Sequence, residues 1–239
     1  MIDNLKDLLA HTHALGCLDL VKVEGTETTT VIKSIADDRS VILTANFKKP
    51  IDGFIGVFGM PNLGILKTII NTSEYDNDAN ITVISDAAKG PVSLNFSNST
   101  GDFNNNYRFT VKQIIQERMK DIAFMGVNWN IELEPSLASI QRLQYQSAAN
   151  KTENTFCTKL ENGNLSFYFG NPSTHAGNFI FAEDISGNLN QSWHWPVSQV
   201  INILNLPGNK IMRLSNDGCM QIDVDSGMAI YEYILPAQS

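Results

Sequence analysis

The stretch Asp225-Ser226-Gly227-Met228-Ala229-Ile230-Tyr231-Glu232-Tyr233-Ile234-Leu235-Pro236 decides the fold. From Met228 onward it reads as a strand. Alternate side chains of a strand face opposite ways, so Tyr231, Tyr233 and Leu235 share one face and Ile234 takes the other. One face must pack on a core. An apolar run so near the end of the sequence is unusual, and its last members, Leu235 and Pro236, read either as core or as the rim of a pocket.

Working backwards, MQIDVD (220–225) and KIMRLS (210–215) are the strands before it, and VSQVINILNL (197–206) is a helix with Val197, Val200, Ile201 and Leu204 inward. NFIFAED and the region around Trp193-His194-Trp195 read as strands. TFCTKLE and NLSFYFG flank Glu161-Asn162-Gly163-Asn164, a hairpin signal. PSLASIQRLQYQSAANK (135–151) is a helix with Leu137, Ile140, Leu143 and Ala148 on its inner side, and VNWNIEL is a strand before it.

The first half shows the same order. Residues 2–14 form a helix striped by Ile2, Leu5, Leu8 and Leu9, with Gly16 as a stop. LDLVKVEG is a strand, and two more flank the turn Asp37-Asp38-Arg39. DGFIGVFGM is a buried strand. PNLGILKTIIN is a helix with Pro61 in its first turn, Leu63, Leu66, Ile69 and Ile70 inward, and Lys67 and Asn71 outward. ITVISD and PVSLNFS pair across AAKG, and GDFNNNYRF is a polar break. VKQIIQERMKDIAFMG is compatible with a helix but occupies the place of a connector. The expectation is an α+β chain with an internal repeat of about 115 residues in element order. It comprises a domain over 1–110, a connector over 111–126 and a second domain over 127–239, each domain packing two helices on antiparallel sheets.

At 239 residues, 43% of them hydrophobic, the chain can bury a sizeable core. Charged residues make up 18%, and 25 asparagines fill part of the gap. The net charge of -8 excludes a protein that binds nucleic acid through bulk positive charge, though not one with a local basic face. Cys17, Cys157 and Cys219 are distant and odd in number, which argues against a zinc site or disulfide scaffold and fits a reducing cytoplasm. No signal peptide or clean membrane span is read, so a soluble protein is expected.

The usual carriers of chemistry are missing. His11 and His13, two apart on a helix, diverge and read as surface histidines. Asp76-Asn77-Asp78-Ala79-Asn80 opens like a calcium loop but has Ile81 where glycine and Ala87 where glutamate belong, so it reads as a turn. Gly53, Gly56 and Gly59 lack dinucleotide spacing. Asp223 and Asp225 read as solvated carboxylates. No catalytic residues, metal or cofactor are expected. The positive charges are more informative: Lys6, Lys67, Arg142 and Lys151 lie on or just beyond helices, opposite the apolar stripes, and Arg142, Gln146 and Asn150 form a polar ridge able to donate to phosphate oxygens. Asp3 and Asp7 dilute Lys6, while the other three helices lack acid on their outer faces.

The closing strand, with its D-x-G opening, aromatic residues and Leu-Pro end, resembles the last strand of DNA polymerase sliding clamps. Residues 51–71 are similar to the strand and second helix of the clamps of T-even-type bacteriophages, and element order and length agree over the whole chain. The resemblance implies a homotrimeric ring around double-stranded DNA, a processivity factor that tethers DNA polymerase and is opened by a clamp loader. Helices would line the hole, with Lys6, Lys67, Arg142, Gln146 and Lys151 facing it. Partners would dock by an apolar peptide in a pocket formed by Leu235 and Pro236 with Ile122, Phe124 and Met125 of the connector. The inner helices carry fewer bases than the family pattern, and the fourth has none. A second reading fits the composition too: a virion or adhesin β-protein binding carbohydrate through Trp193 and Trp195.

Overall fold

The structure is a computed structural model and describes residues 1–75, 79–87, 90–120 and 124–238. Asp76, Asn77 and Asp78 of the loop read as a turn, and Ile122 of the pocket, lie outside the described residues. The chain divides into two compact units. Unit 1 holds 1–123 with 226–231, and unit 2 holds 124–225 with 232–239.

Unit 1 begins with α1 (Ile2–His11), followed by β1 (Leu20–Gly25), β2 (Thr30–Ile35), β3 (Ile42–Phe47), β4 (Gly56–Pro61), α2 (Leu63–Ile70), β5 (Asn80–Asp86), β6 (Gly90–Ser97), β7 (Asn104–Arg108) and α3 (Lys112–Arg118). β1 lies antiparallel between β2 and β4, and β3 pairs with β2. β5, β6 and β7 form a second antiparallel sheet. Strict in–out alternation along β1 and β2 gives each strand one core face and one wet face. In the core Phe58 stacks on Phe109, and Phe54 meets both rings edge-on.

Unit 2 contains β8 (Ile131–Leu133), α4 (Leu137–Ala149), β9 (Thr155–Glu161), β10 (Asn164–Gly170), β11 (Ala176–Ala182), β12 (His194–Pro196), α5 (Val197–Leu204), β13 (Asn209–Ser215) and β14 (Cys219–Asp225). The last strand, β15 (Ala229–Pro236), starts in unit 1 and ends in unit 2. β9 is flanked by β10 and β12, with β11 outside β10, the order that β1, β2, β4 and β3 adopt in unit 1. β13 pairs with β14 and β8. Along the chain, the order helix, four strands, helix, three strands occurs twice. The hairpin between β9 and β10 turns on Asn162 (φ 53°) and Gly163 (φ 78°), both left-handed, as a two-residue turn matching strand twist requires.

Several expectations are corrected. The polar break around Asn104 is a strand, because Tyr107 reaches the core and β6 offers it a partner. Pro61 ends β4 instead of opening α2, whose first turn begins at Leu63. Leu137 is 72% exposed and Ala148 is exposed, so the inner face of α4 is narrower than read and is made by Ser139, Ile140 and Leu143. In α5, Ile203 takes the buried position expected for Ile201. Lys112–Arg118, within the stretch read as connector, forms a helix on the edge of β4. A Cβ on Gly59 of β4 would come within 2.9 Å of Ile115 in that helix, so glycine permits the close approach.

His11 is a further correction. It is buried, with Nδ1 2.9 Å from the Asp7 carbonyl oxygen and 3.3 Å from the Asp7 carboxylate, and its ring stacks on Tyr231 at 4.3 Å. Ser226 and Tyr231 hydroxyls donate to the same carboxylate at 2.9 and 2.8 Å. Burial alone would raise the Asp7 pKa; the bonds from His11, Tyr231 and Ser226 and the attraction of His11 outweigh it and hold it below the ordinary carboxyl value. Asp223 is likewise not a solvated acid: it pairs with Arg213 and accepts from Gln221 at 2.6 Å.

Candidate nucleic-acid interface and partner contacts

Each unit lays two helices side by side, α1 by α2 and α4 by α5. In α1, Leu5, Leu8 and Leu9 point into the core, which turns Lys6 to solvent. In α2, Leu63, Leu66, Ile69 and Ile70 are buried and Ile65, Lys67 and Thr68 are exposed. Asp19, just before β1, holds the start of α2 by accepting from Leu63 N through its backbone oxygen and from Gly64 N through its side chain, both at 3.3 Å. His13 lies 3.1 Å from that carboxylate. In α4 the Ser136 side chain caps Ser139 N at 3.0 Å, and Gln141, Arg142 and Tyr145 face solvent. Lys151 is exposed in the turn after α4. α5 exposes Ser198 and Asn202, and the residue after it, Asn205, accepts from Gln144 of α4 at 2.8 Å.

The charge distribution separates the two kinds of surface. α2, α4 and α5 contain no Asp or Glu. In α1 the charge of Asp7 is turned inward by its three donors, which leaves Asp3 as the exposed acid and Lys6 less diluted than the sequence suggests. On the sheets, by contrast, three bases are neutralised. Lys22 and Lys33 both pair with Glu24, at 2.6 and 2.8 Å, and Arg213 pairs with Glu132 at 2.6 Å and with Asp223. Lys6, Lys67, Arg142 and Lys151 make no ion pair among the described residues. These four uncompensated cations lie on or just beyond the helices of a chain whose net charge is -8.

Not every member of the expected ridge is available. Gln146 donates to the Asn178 carbonyl of β11 at 3.3 Å, and Asn150 is buried and donates back to Gln146. Gln146 thus fastens α4 to its own sheet, and Asn150 is spent on Gln146.

Of the partner-contact residues, Leu235 is fully buried, together with Tyr231 and Tyr233, while Pro236 is exposed. Phe124 is partly exposed and lies 6.2 Å from Trp129, and Met125 is 92% exposed. A cleft of about 390 Å³ in unit 1, lined by Ile35, Ala36, Asp37, Arg39, Arg118 and Met119, was not anticipated. Only folding brings the turn after β2 to the end of α3, so no local signal marks it. Trp195 is fully buried with Nε1 donating to Thr158 at 3.0 Å, and Trp193 donates to the Asn216 carbonyl at 3.0 Å. The two indoles do not form an open stacking platform. Among the described residues no helix is long and apolar enough to cross a membrane.

Repeated α+β units, each with paired helices on antiparallel sheets, define the sliding-clamp class of fold. Two solved structures are similar over the full chain: a PCNA of A. fulgidus bound to the C-terminal region of FEN-1, with a TM-score of 0.72, 11% identity and 96% of that chain covered, and a PCNA of Thermococcus kodakaraensis, with a TM-score of 0.68, 13% identity and 97% covered. At such identities the likeness shows the fold. No protein-family profile and no curated protein matches the sequence.

Proposed function

We propose that this chain is a sliding clamp: three copies close into a ring around duplex DNA and tether the replicative polymerase, without catalysis of their own. The observation that carries the reading is that a chain of net charge -8 with the clamp fold keeps acid off α2, α4 and α5 and leaves Lys67, Arg142 and Lys151 without ion pairs on or beside them, among the described residues. Topological enclosure then replaces affinity. A few mobile cations suffice, and contacts to phosphate carry no sequence information, which suits a protein that travels over any sequence. In this reading residues 111–126 connect domains 1–110 and 127–239, and α1, α2, α4 and α5 line the hole. A clamp loader opens the ring, and the protein works in the cytoplasm of a phage-infected bacterium, as the T-even resemblance implies. Sedimentation equilibrium should give about three times the 26.4 kDa chain mass; a monomer at high concentration would overturn the ring.

The polymerase's tail peptide is proposed to dock on the exposed apolar residues Phe124, Met125 and Pro236. Apolar anchors in such sites dominate binding, and losing a central one typically costs about 2 kcal/mol. The pair Met125→Asp and Pro236→Asp should weaken the peptide at least about tenfold in calorimetry, with sedimentation unchanged. Equal affinities would place docking elsewhere, for instance at the unit 1 cleft.

A further inference from the structure

Tyr145 stands out on the acid-free face of α4. It is 69% exposed, its neighbours at the next turn are Ala148 and Ala149, and its hydroxyl has no hydrogen-bond partner among the described residues. Ring burial cannot account for it, since little of the ring is removed from water, and alanine or glutamine would favour the helix more. Several other polar groups nearby are committed, while Gln141, one turn before, is exposed. Gln144 holds Asn205, Gln146 holds β11, and Ser198 donates to Gln199 at 2.6 Å. Tyr145 and Arg142 lie three residues apart, so they project from the same side of the helix.

Resting on the sliding-clamp reading, we infer that Tyr145 is a non-ionic DNA contact, its hydroxyl donating to a backbone phosphate oxygen next to the phosphate that Arg142 meets. The occupant follows from the charge pattern. A face without acid, bearing one guanidinium and one unpaired phenol, suits a polyanion whose oxygens accept hydrogen bonds. Tyrosine hydroxyls are ordinary donors to phosphate. Such a bond displaces no condensed counterion, so it strengthens holding without steepening the salt dependence that each cation adds. This gives unit 2, whose α5 has no base at all, a way to grip a sliding duplex with little charge.

The test is equilibrium binding of the full-length protein to a fluorescein-labelled duplex, followed by anisotropy from 50 to 200 mM salt, a range over which phosphate contacts change affinity by orders of magnitude. Tyr145→Ala should weaken binding about threefold or more at every salt concentration and leave the slope of log K against log salt unchanged. Tyr145→Phe should lose as much, since the hydroxyl is the donor, whereas Arg142→Gln should flatten the slope. Thermal melts should be unmoved, because Tyr145 is exposed. Wild-type binding by Tyr145→Phe, or a changed slope in Tyr145→Ala, overturns the inference while a flattened slope in Arg142→Gln leaves the clamp reading standing. If reversing Lys6, Lys67, Arg142 and Lys151 together also leaves binding unchanged, it is the clamp reading that fails.

Discussion

Replacing Trp195 by alanine is expected to destabilise unit 2 by about 3–5 kcal/mol, the usual range for deleting a large buried aromatic. Trp195 is fully buried in β12, opposite Phe156 of β9, immediately before α5. Its loss opens a cavity under the start of that helix and also orphans the Thr158 hydroxyl, which is buried and accepts the indole N–H. An unsatisfied buried hydroxyl adds about 1–3 kcal/mol. Trp195→Phe, which fills part of the space but cannot donate, should fall between. Urea unfolding followed by far-UV circular dichroism would show the midpoint dropping steeply for alanine. A midpoint within error of wild type would mean that the indole is not core. That result would also reopen the carbohydrate reading, which needs Trp193 and Trp195 to be accessible; as placed, both indole N–H groups are spent on the protein itself.

Much of this architecture can be read in the sequence because strands and helices bury one face at a fixed period. Leu63, Leu66, Ile69 and Ile70 mark the inner face of α2 correctly, and Asn162-Gly163 marks a hairpin because few other pairs tolerate two left-handed residues. Failures come where neighbours far along the chain override local composition. Asn104, Asn105 and Asn106 look like a loop, yet β6 supplies a partner and Tyr107 an anchor. His11 is polar, but Asp7 and the ring of Tyr231 make a buried site for it. Leu137 is apolar, but at the first turn of α4 it has nothing to cover it. The candidate interface is legible to the same extent. The sequence shows which helices lack acid, but it cannot show that Gln146 is spent on β11 and Asn150 on Gln146, that Asp7 is turned inward, or that Tyr145 stands unpartnered.

The inward turn of Asp7 matters for the other large effect, which concerns charge. Reversing Lys6, Lys67, Arg142 and Lys151 to glutamate should abolish stable loading on DNA and processive synthesis while leaving the fold intact. All four are exposed and without ion pairs among the described residues, so each contributes about 0–1 kcal/mol to stability. The same four reversals double a net charge that is already -8 and place like charge against phosphate, three of them on or beside helices from which acid is otherwise excluded. Because each cation–phosphate contact enters the salt slope with a coefficient of about 0.9, loss of all four should bring the slope close to zero, not merely lower the affinity at one salt concentration. Reversing Lys22, Lys33 and Arg213 is the matched control. Those bases already answer Glu24, Glu132 and Asp223 on the sheets, so their loss should cost stability and leave DNA retention alone. Primer extension on a long template, with thermal melts in parallel, separates the two sets. If the helix variant extends as far as wild type, the cations on these faces are an accident of composition and the duplex lies against some other surface.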